Sequence, residues 1–234
     1  MKNAAAGETE TDKTIMKAAM QRLQLIRNLV TLATAAGLIT GCASDNYNKS
    51  AKTAATLSQS SRMITKGNTL IDESLADLND LVSNPYPDLR KQFAKFNDAV
   101  NDLGVSEKDI AGKAGEMKAQ GSDYFASWDK ESAQIQNEDI RSRSETRRNE
   151  VASRFDRISR QYDETKAAFR PFMSDLRDVQ KFLSTDLTAG GLAAIKDTAA
   201  KATRDAVPLK KSLDSLSDDF KSLGISMSTT TASR

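Results

Sequence analysis

The chain contains no histidine, and Cys42 is its single cysteine. Imidazole general bases, His or Cys metal sites, Cys-His nucleophiles and internal disulfides are therefore excluded. Proline occurs only 4 times and glycine 11 times in 234 residues, so few positions force the backbone to break. No apolar run approaches the ~20 residues that cross a bilayer as a helix. Nor does either sign of charge dominate. Lys and Arg number 34 against 32 Asp and Glu, interspersed along the chain, which argues against a nucleic-acid footprint. A phosphate-binding loop and a Gly-x-Ser-x-Gly nucleophile elbow are also missing. Two carboxylates could still act as acid and base, but only in a cleft that raises one pKa. Long apolar stripes predict bundles, so the expectation is a protein that is not an enzyme, with no cofactor, no metal and no catalytic residues.

What is present begins with an N-terminal address. Arg22 and Arg27 precede the apolar run 29–40, which ends in Gly41-Cys42-Ala43-Ser44. This order of positive, apolar and small residues is that of a cleaved secretory signal. Residues 1–41 are long for such a signal and start with acidic Glu8 and Glu10, so Met16 or Met20 offers an alternative start. Removing the first 41 residues takes away Lys2, Lys13, Lys17, Arg22 and Arg27 against Glu8, Glu10 and Asp12, a surplus of +2 that equals the whole formal charge. The remaining body is neutral.

Leu38-Ile39-Thr40-Gly41-Cys42 resembles the bacterial lipobox. The resemblance implies cleavage after Gly41 and acylation at Cys42, with the membrane as a partner through that lipid. Each buried methylene adds ~0.8 kcal/mol, and two or more chains hold a protein durably where one does not. The location implied is the periplasmic side of the cell envelope, and Ala43 after the cysteine favours the outer over the inner membrane. The bland alternative is a lone buried cysteine at the end of an apolar helix.

Residues 42–49 are polar and are expected to form a tether, followed by a helical body at 50–224 and a frayed tail at 225–234. Leu57, Ile64, Ile71 and Leu78 recur every seven residues, marking a first helix from about 50 to 82. Asn84-Pro-Tyr-Pro-Asp88 breaks it. Leu89, Phe93, Phe96, Val100 and Leu103 step by four and three in a second helix. Gly104 takes the position of its C-cap, and Ser106 with Asp109 resembles a capping box for the next. That third helix has no proline before Pro171 and is expected to run from 107 to 185, roughly 115 Å at ~1.5 Å per residue, with a bend at Pro171. Thr188 is the expected N-cap of a last helix with Leu192, Ile195, Ala199, Ala202, Ala206, Leu209, Leu213, Leu216, Phe220 and Leu223 on one stripe. The matching stripe at 151–183 predicts antiparallel pairing with it. The fold expected is all-α, an elongated antiparallel helical bundle or coiled coil with one very long helix.

Residues 134–150 are ambiguous. A solvated continuous helix is favoured there because Asp139 to Arg143 and Glu150 to Arg154 have the stabilising i,i+4 order; the alternative folds the chain back into a compact bundle. Arg141, Arg143, Arg147 and Arg148 present planar forks of donors that suit anions, against the simpler reading of a solvated helix face balanced by nearby acids. Tyr124, Phe125 and Trp128 could form a ligand platform, but their spacing fits a core stripe.

From about Trp128 to Phe220, segments including Glu145-Thr-Arg-Arg148, Phe169-Arg-Pro-Phe172 and Asp186-Leu-Thr-Ala-Gly-Gly-Leu-Ala-Ala-Ile195 resemble an uncharacterised bacterial family of helical envelope proteins, the domain-of-unknown-function family 2959. The resemblance implies a fold and a location and carries no activity or functional residues. The expected role is a non-enzymatic, membrane-anchored scaffold or interaction module with a protein or envelope-component partner and no nucleic acid. Surplus apolar stripe could also pair between copies as a homo-oligomer. A carrier of lipid or another apolar ligand, lined by the Phe93, Phe96, Phe169 and Phe172 regions, is the alternative. A carboxylate-based hydrolase of envelope polymers is a third.

Overall fold

The structure, a computed structural model, describes residues 43–228. The lipobox residues Leu38, Ile39, Thr40, Gly41 and Cys42, the leader before them and residues 229–234 lie outside the described residues. The chain divides into two units, Met1–Asp45 and Asn46–Arg234, and the second holds the bundle. Four helices and no strand occur among the described residues: α1 Ala43–Ser83, α2 Arg90–Ser132, α3 Glu138–Thr185 and α4 Ala189–Met227. None of them is long and apolar enough to cross a membrane.

The heptad of α1 is buried as its spacing predicts, with Leu57, Ile64 and Ile71 wholly sequestered. The helix starts at Ala43, however, so the polar stretch expected to be a tether is helical. Ser50 explains part of this: its hydroxyl is buried and donates to the Met227 carbonyl at 2.7 Å, tying the start of α1 to the end of α4. The same tie extends α4 through Met227, into the segment expected to fray.

Two expected boundaries fail in opposite senses. Gly104 does not cap a helix, and Ser106 does not start one; α2 runs straight through both. Gly104 is instead a point of close approach, where an added Cβ would lie 3.3 Å from Arg177 Nη2 and 3.5 Å from Met173 Cε. Conversely, the helix expected to cover 107–185 is interrupted at 133–137, and the chain folds back there. Asn137 has extended backbone at φ −76° and ψ 116°, and its side chain accepts from the Ile140 amide at 3.1 Å. Glu138 and Asp139 then fill the first turn, where carboxylates favour the positive end of the helix dipole. The longest helix is thus α3 with 48 residues, and the very long arm is replaced by a hairpin.

Pro171 lies inside α3 and Pro208 inside α4, both on exposed positions, and each helix continues through its proline. Between α3 and α4, Thr188 is the N-cap expected, its hydroxyl accepting from the Gly191 amide at 3.2 Å. Gly191 admits no side chain, since a Cβ would lie 2.1 Å from the Asp186 carbonyl oxygen.

The four helices close into an up-down-up-down ring. Thr56 donates to Gln120 between α1 and α2, Lys118 pairs with Asp163 between α2 and α3, Lys201 pairs with Asp175 between α3 and α4, and Lys210 pairs with Asp72 between α4 and α1. A single core of Leu, Ile, Val, Phe, Met and Ala side chains fills the ring along its length. No Asp, Glu, Lys or Arg is among the buried residues described, so the charges remain solvated at the rim.

Candidate functional site

The connectivity gives the bundle two distinct ends. At one end the start of α1, the 133–137 turn and the end of α4 come together. The four arginines singled out from sequence lie on the first turns of α3 near this end, and the structure engages three of them with acids. Arg148 forms a bidentate pair with Asp129 at 2.8 and 2.9 Å, while its guanidinium lies 5.3 Å from the Phe125 ring centre. Arg147 pairs with Glu150 at 3.3 Å and donates to the Ser226 carbonyl at 3.4 Å. Arg141 pairs with Glu138. Arg143 is exposed and has no such partner among the described residues. The arrangement is a charge-balanced helix face that ties α3 to α2 and α4, and the structure does not gather the four forks around one point.

Tyr124, Phe125 and Trp128 belong to the core, as their spacing predicts. Tyr124 packs against Phe125 and Trp128 with ring centres 5.4 Å apart in both pairs, and Phe125 meets Phe155 edge-on at 5.7 Å. The Trp128 indole donates to Ser144 Oγ at 2.9 Å, which leaves its polar edge satisfied. Burial pushes the Tyr124 hydroxyl's pKa up, against the opposing effect of its hydrogen bond with Ser50. Gly121 makes room for this cluster: a Cβ there would stand 2.2 Å from Phe155. Among the phenylalanines proposed to line a groove, Phe96 and Phe172 are fully buried, and Phe93 and Phe169 pack against the core from its edge.

The opposite end is formed by two turns side by side. Pro85, Tyr86 and Pro87 from the α1–α2 turn face Leu187, Thr188 and Leu192 across a shallow cleft. Tyr86 is 56 % exposed, and Phe182 on the last turn of α3 is 41 % exposed. A buried glutamine holds the first turn in shape. Gln92 Nε2 donates to Asp80 Oδ2 at 2.8 Å and to the Asn84 carbonyl at 3.0 Å, while its Oε1 accepts from the Tyr86 amide at 2.9 Å. Beside it, Asp88 accepts from the Arg90 guanidinium twice at 2.8 Å and from the Arg90 amide at 3.1 Å. These bonds, the side-chain ones foremost, bring the Asp88 carboxyl down from 3.8 to about 2. The result is an exposed aromatic on a braced turn between two prolines, a surface suited to apolar contact at low cost in ordering. The sequence marked this segment only as a helix break; the informative signal was a tyrosine between two prolines, which cannot be folded into either helix.

Residues 46–222 match the model of the family described as protein of unknown function, DUF2959. The chain belongs to this family. The DUF2959 match reaches all four helices, so it extends well beyond the Trp128–Phe220 segment on which the resemblance rested, and it brings α1 and α2 into the family's domain. No curated protein and no solved structure matches the chain. Among the described residues no group of three or more Cys, Asp and Glu side chains is placed to hold a metal ion.

Proposed function

We propose that the protein is a non-enzymatic, lipid-anchored envelope module that presents its braced tip to a protein partner. The anchor is the acylated Cys42, on the periplasmic side and, by the residue Ala43, in the outer membrane. The observation that carries the reading is the tip itself: Tyr86 and Phe182 are exposed where the α1–α2 and α3–α4 turns meet, at the end of α1 remote from Ala43. A helix of 41 residues is about 60 Å long at ~1.5 Å per residue, so α1 separates the two ends by that distance. A spacer with a rigid apolar tip suits contact with another envelope component better than catalysis, because no Asp, Glu, Lys or Arg among the described residues is buried, so none sits in a desolvated cleft.

Two measurements in cells test the halves of the reading. A photo-crosslinking amino acid in place of Tyr86 is expected to give a discrete protein adduct that the same residue at exposed Asp156 does not. Equal or absent adducts at both positions would overturn the tip assignment. Cys42→Ala is expected to abolish labelling by a fatty-acid probe, and retained labelling would remove the anchor.

A further inference from the structure

The buried face of α1 differs in kind from those of the other helices. Eleven polar residues are buried among the described residues, and seven of them lie on α1, whereas α3 contributes only Thr165 and α4 only Ser217. Leu57, Ile64, Ile71 and Leu78 run down the middle of the α1 face, and small polar groups flank them, Thr56 toward α2 and Ser61 and Asn68 toward α4.

These polar groups do little to hold α1 in place. Thr53 donates to the Lys49 carbonyl and Ser74 to the Leu70 carbonyl, each at 2.8 Å, so both are satisfied inside α1 whatever its neighbours do. Three buried side-chain atoms have no hydrogen-bond partner among the described residues, Asn46 Oδ1, Ser60 Oγ and Asn68 Oδ1, and all three belong to α1. A buried polar atom without a bond costs free energy that contact with water recovers. The bonds that cross from α1 include those of Ser50 to the Met227 carbonyl, Thr56 to Gln120 and Ser61 to Ser217, all between neutral groups. Water replaces such bonds at little net loss. The Lys210 pair with Asp72 is at the surface, where ion pairs contribute least.

Helix α4 supplies the comparison, because α1 and α4 are the first and last helices of the bundle. From Leu192 to Met227 the buried side chains of α4 are apolar except for Ser217, so releasing that helix exposes hydrocarbon and recovers almost nothing. A place at the end of the bundle is common to both. The composition of the buried face is what separates them.

We propose that α1 is a releasable strap, which leaves the bundle as a unit while α2, α3 and α4 stay packed. The pivot is the 84–88 turn, where Pro85 and Pro87 interrupt the helical path between α1 and α2. The apolar stripe returns α1 to the bundle at rest, so the open form is a minor state that pulling or a partner can populate. The consequence for reach rests on the anchor reading given above. With α1 closed, the 133–137 turn lies beside the start of α1. With α1 open, the two would stand up to roughly 125 Å apart, the lengths of α1 and α2 laid end to end at ~1.5 Å per residue.

Hydrogen exchange of the full chain in urea below its unfolding midpoint, read by mass spectrometry on peptides from each helix, tests the release. The amides of residues 52–82 are expected to exchange together, on the order of tenfold faster or more than those of residues 192–223 in α4. Ser60→Ala, which removes an unpartnered hydroxyl from the closed form, is expected to slow α1 about fivefold and to leave α4 unchanged. In a Cys42→Ala background, Ser61→Cys with Ser217→Cys puts two thiols where the hydroxyls are 2.9 Å apart. Their oxidation is expected to bring α1 to the rate of α4, and reduction to restore the difference. Equal exchange of α1 and α4 in the unaltered chain overturns the proposal. So does α1 exchange that Ser60→Ala and the oxidised bond both leave as fast as before. None of these measurements needs the lipid, and fatty-acid labelling of Cys42 reports on the anchor separately, so failure of the strap and failure of the anchor are told apart.

Discussion

Helix α4 packs against its two neighbours by different chemistry. Toward α3 it offers Leu192, Ile195, Ala199, Ala202 and Leu209, and α3 answers with Phe172, Leu176, Val179 and Leu183, an apolar seam flanked by the Lys201–Asp175 ion pair. Toward α1 it offers Ser217, Asp214 and Gly224. The Ser61 and Ser217 hydroxyls share a hydrogen bond of 2.9 Å, Ser217 also bonds the Ser61 carbonyl at 3.1 Å, and Asn68 donates to Asp214. Gly224 brings the two backbones together, since a Cβ there would lie 3.2 Å from the Ala54 carbonyl oxygen. Apolar burial is non-directional and supplies most of the stability, whereas hydrogen bonds net little but hold only in one alignment. The first interface keeps the bundle together, and the second fixes how far α1 slides along it.

The comparison makes a ranked set of expectations. Leu176→Ala, which empties a fully buried position in the α3–α4 seam, should cost about 2–5 kcal/mol in urea unfolding, through lost transfer and the cavity left behind. Ser61→Ala and Ser217→Ala should each cost only about 1 kcal/mol. The double variant should lose clearly less than their sum, because the two hydroxyls serve each other. If Ser61→Ala proves as damaging as Leu176→Ala, the division between a cohesive and an aligning interface is lost. The smallest effect concerns the tip. Asp88 has its folded pKa depressed to about 2 from 3.8, so its contribution is complete above about 3.8 and disappears as the pH falls through about 2. Urea midpoints of the unaltered chain and Asp88→Asn should therefore differ at pH 5 and converge over that window. A gap that widens on acidification would contradict the sign.

The same contrast explains what could be deduced from sequence. The apolar stripes of α3 and α4 were legible because period and hydrophobicity coincide, and Thr188 was legible because its residue type has one common use before a helix. The α1–α4 face was not, since Ser61, Asn68 and Ser217 look like solvent-facing residues until a partner at the same level buries them. Gly104 misled because glycine serves close packing as readily as it serves a cap, and only the neighbours Met173 and Arg177 decide between them. The turn before Asn137 was missed because neither Gly nor Pro marks it. Its signal was the cap followed by Glu138 and Asp139, whose charges suit an N-terminus as well as a solvated helix face.

The bond from Ser50 to the Met227 carbonyl has a topological meaning. It places α1, about two turns from its start, beside the last turn of α4, so the polypeptide nearly completes a circuit. A short Gly-Ser bridge between them, with new ends opened at the exposed 84–88 turn, would give a circular permutant whose four helices neighbour one another as before. The order in which the helices are synthesised would change while the packed object would not.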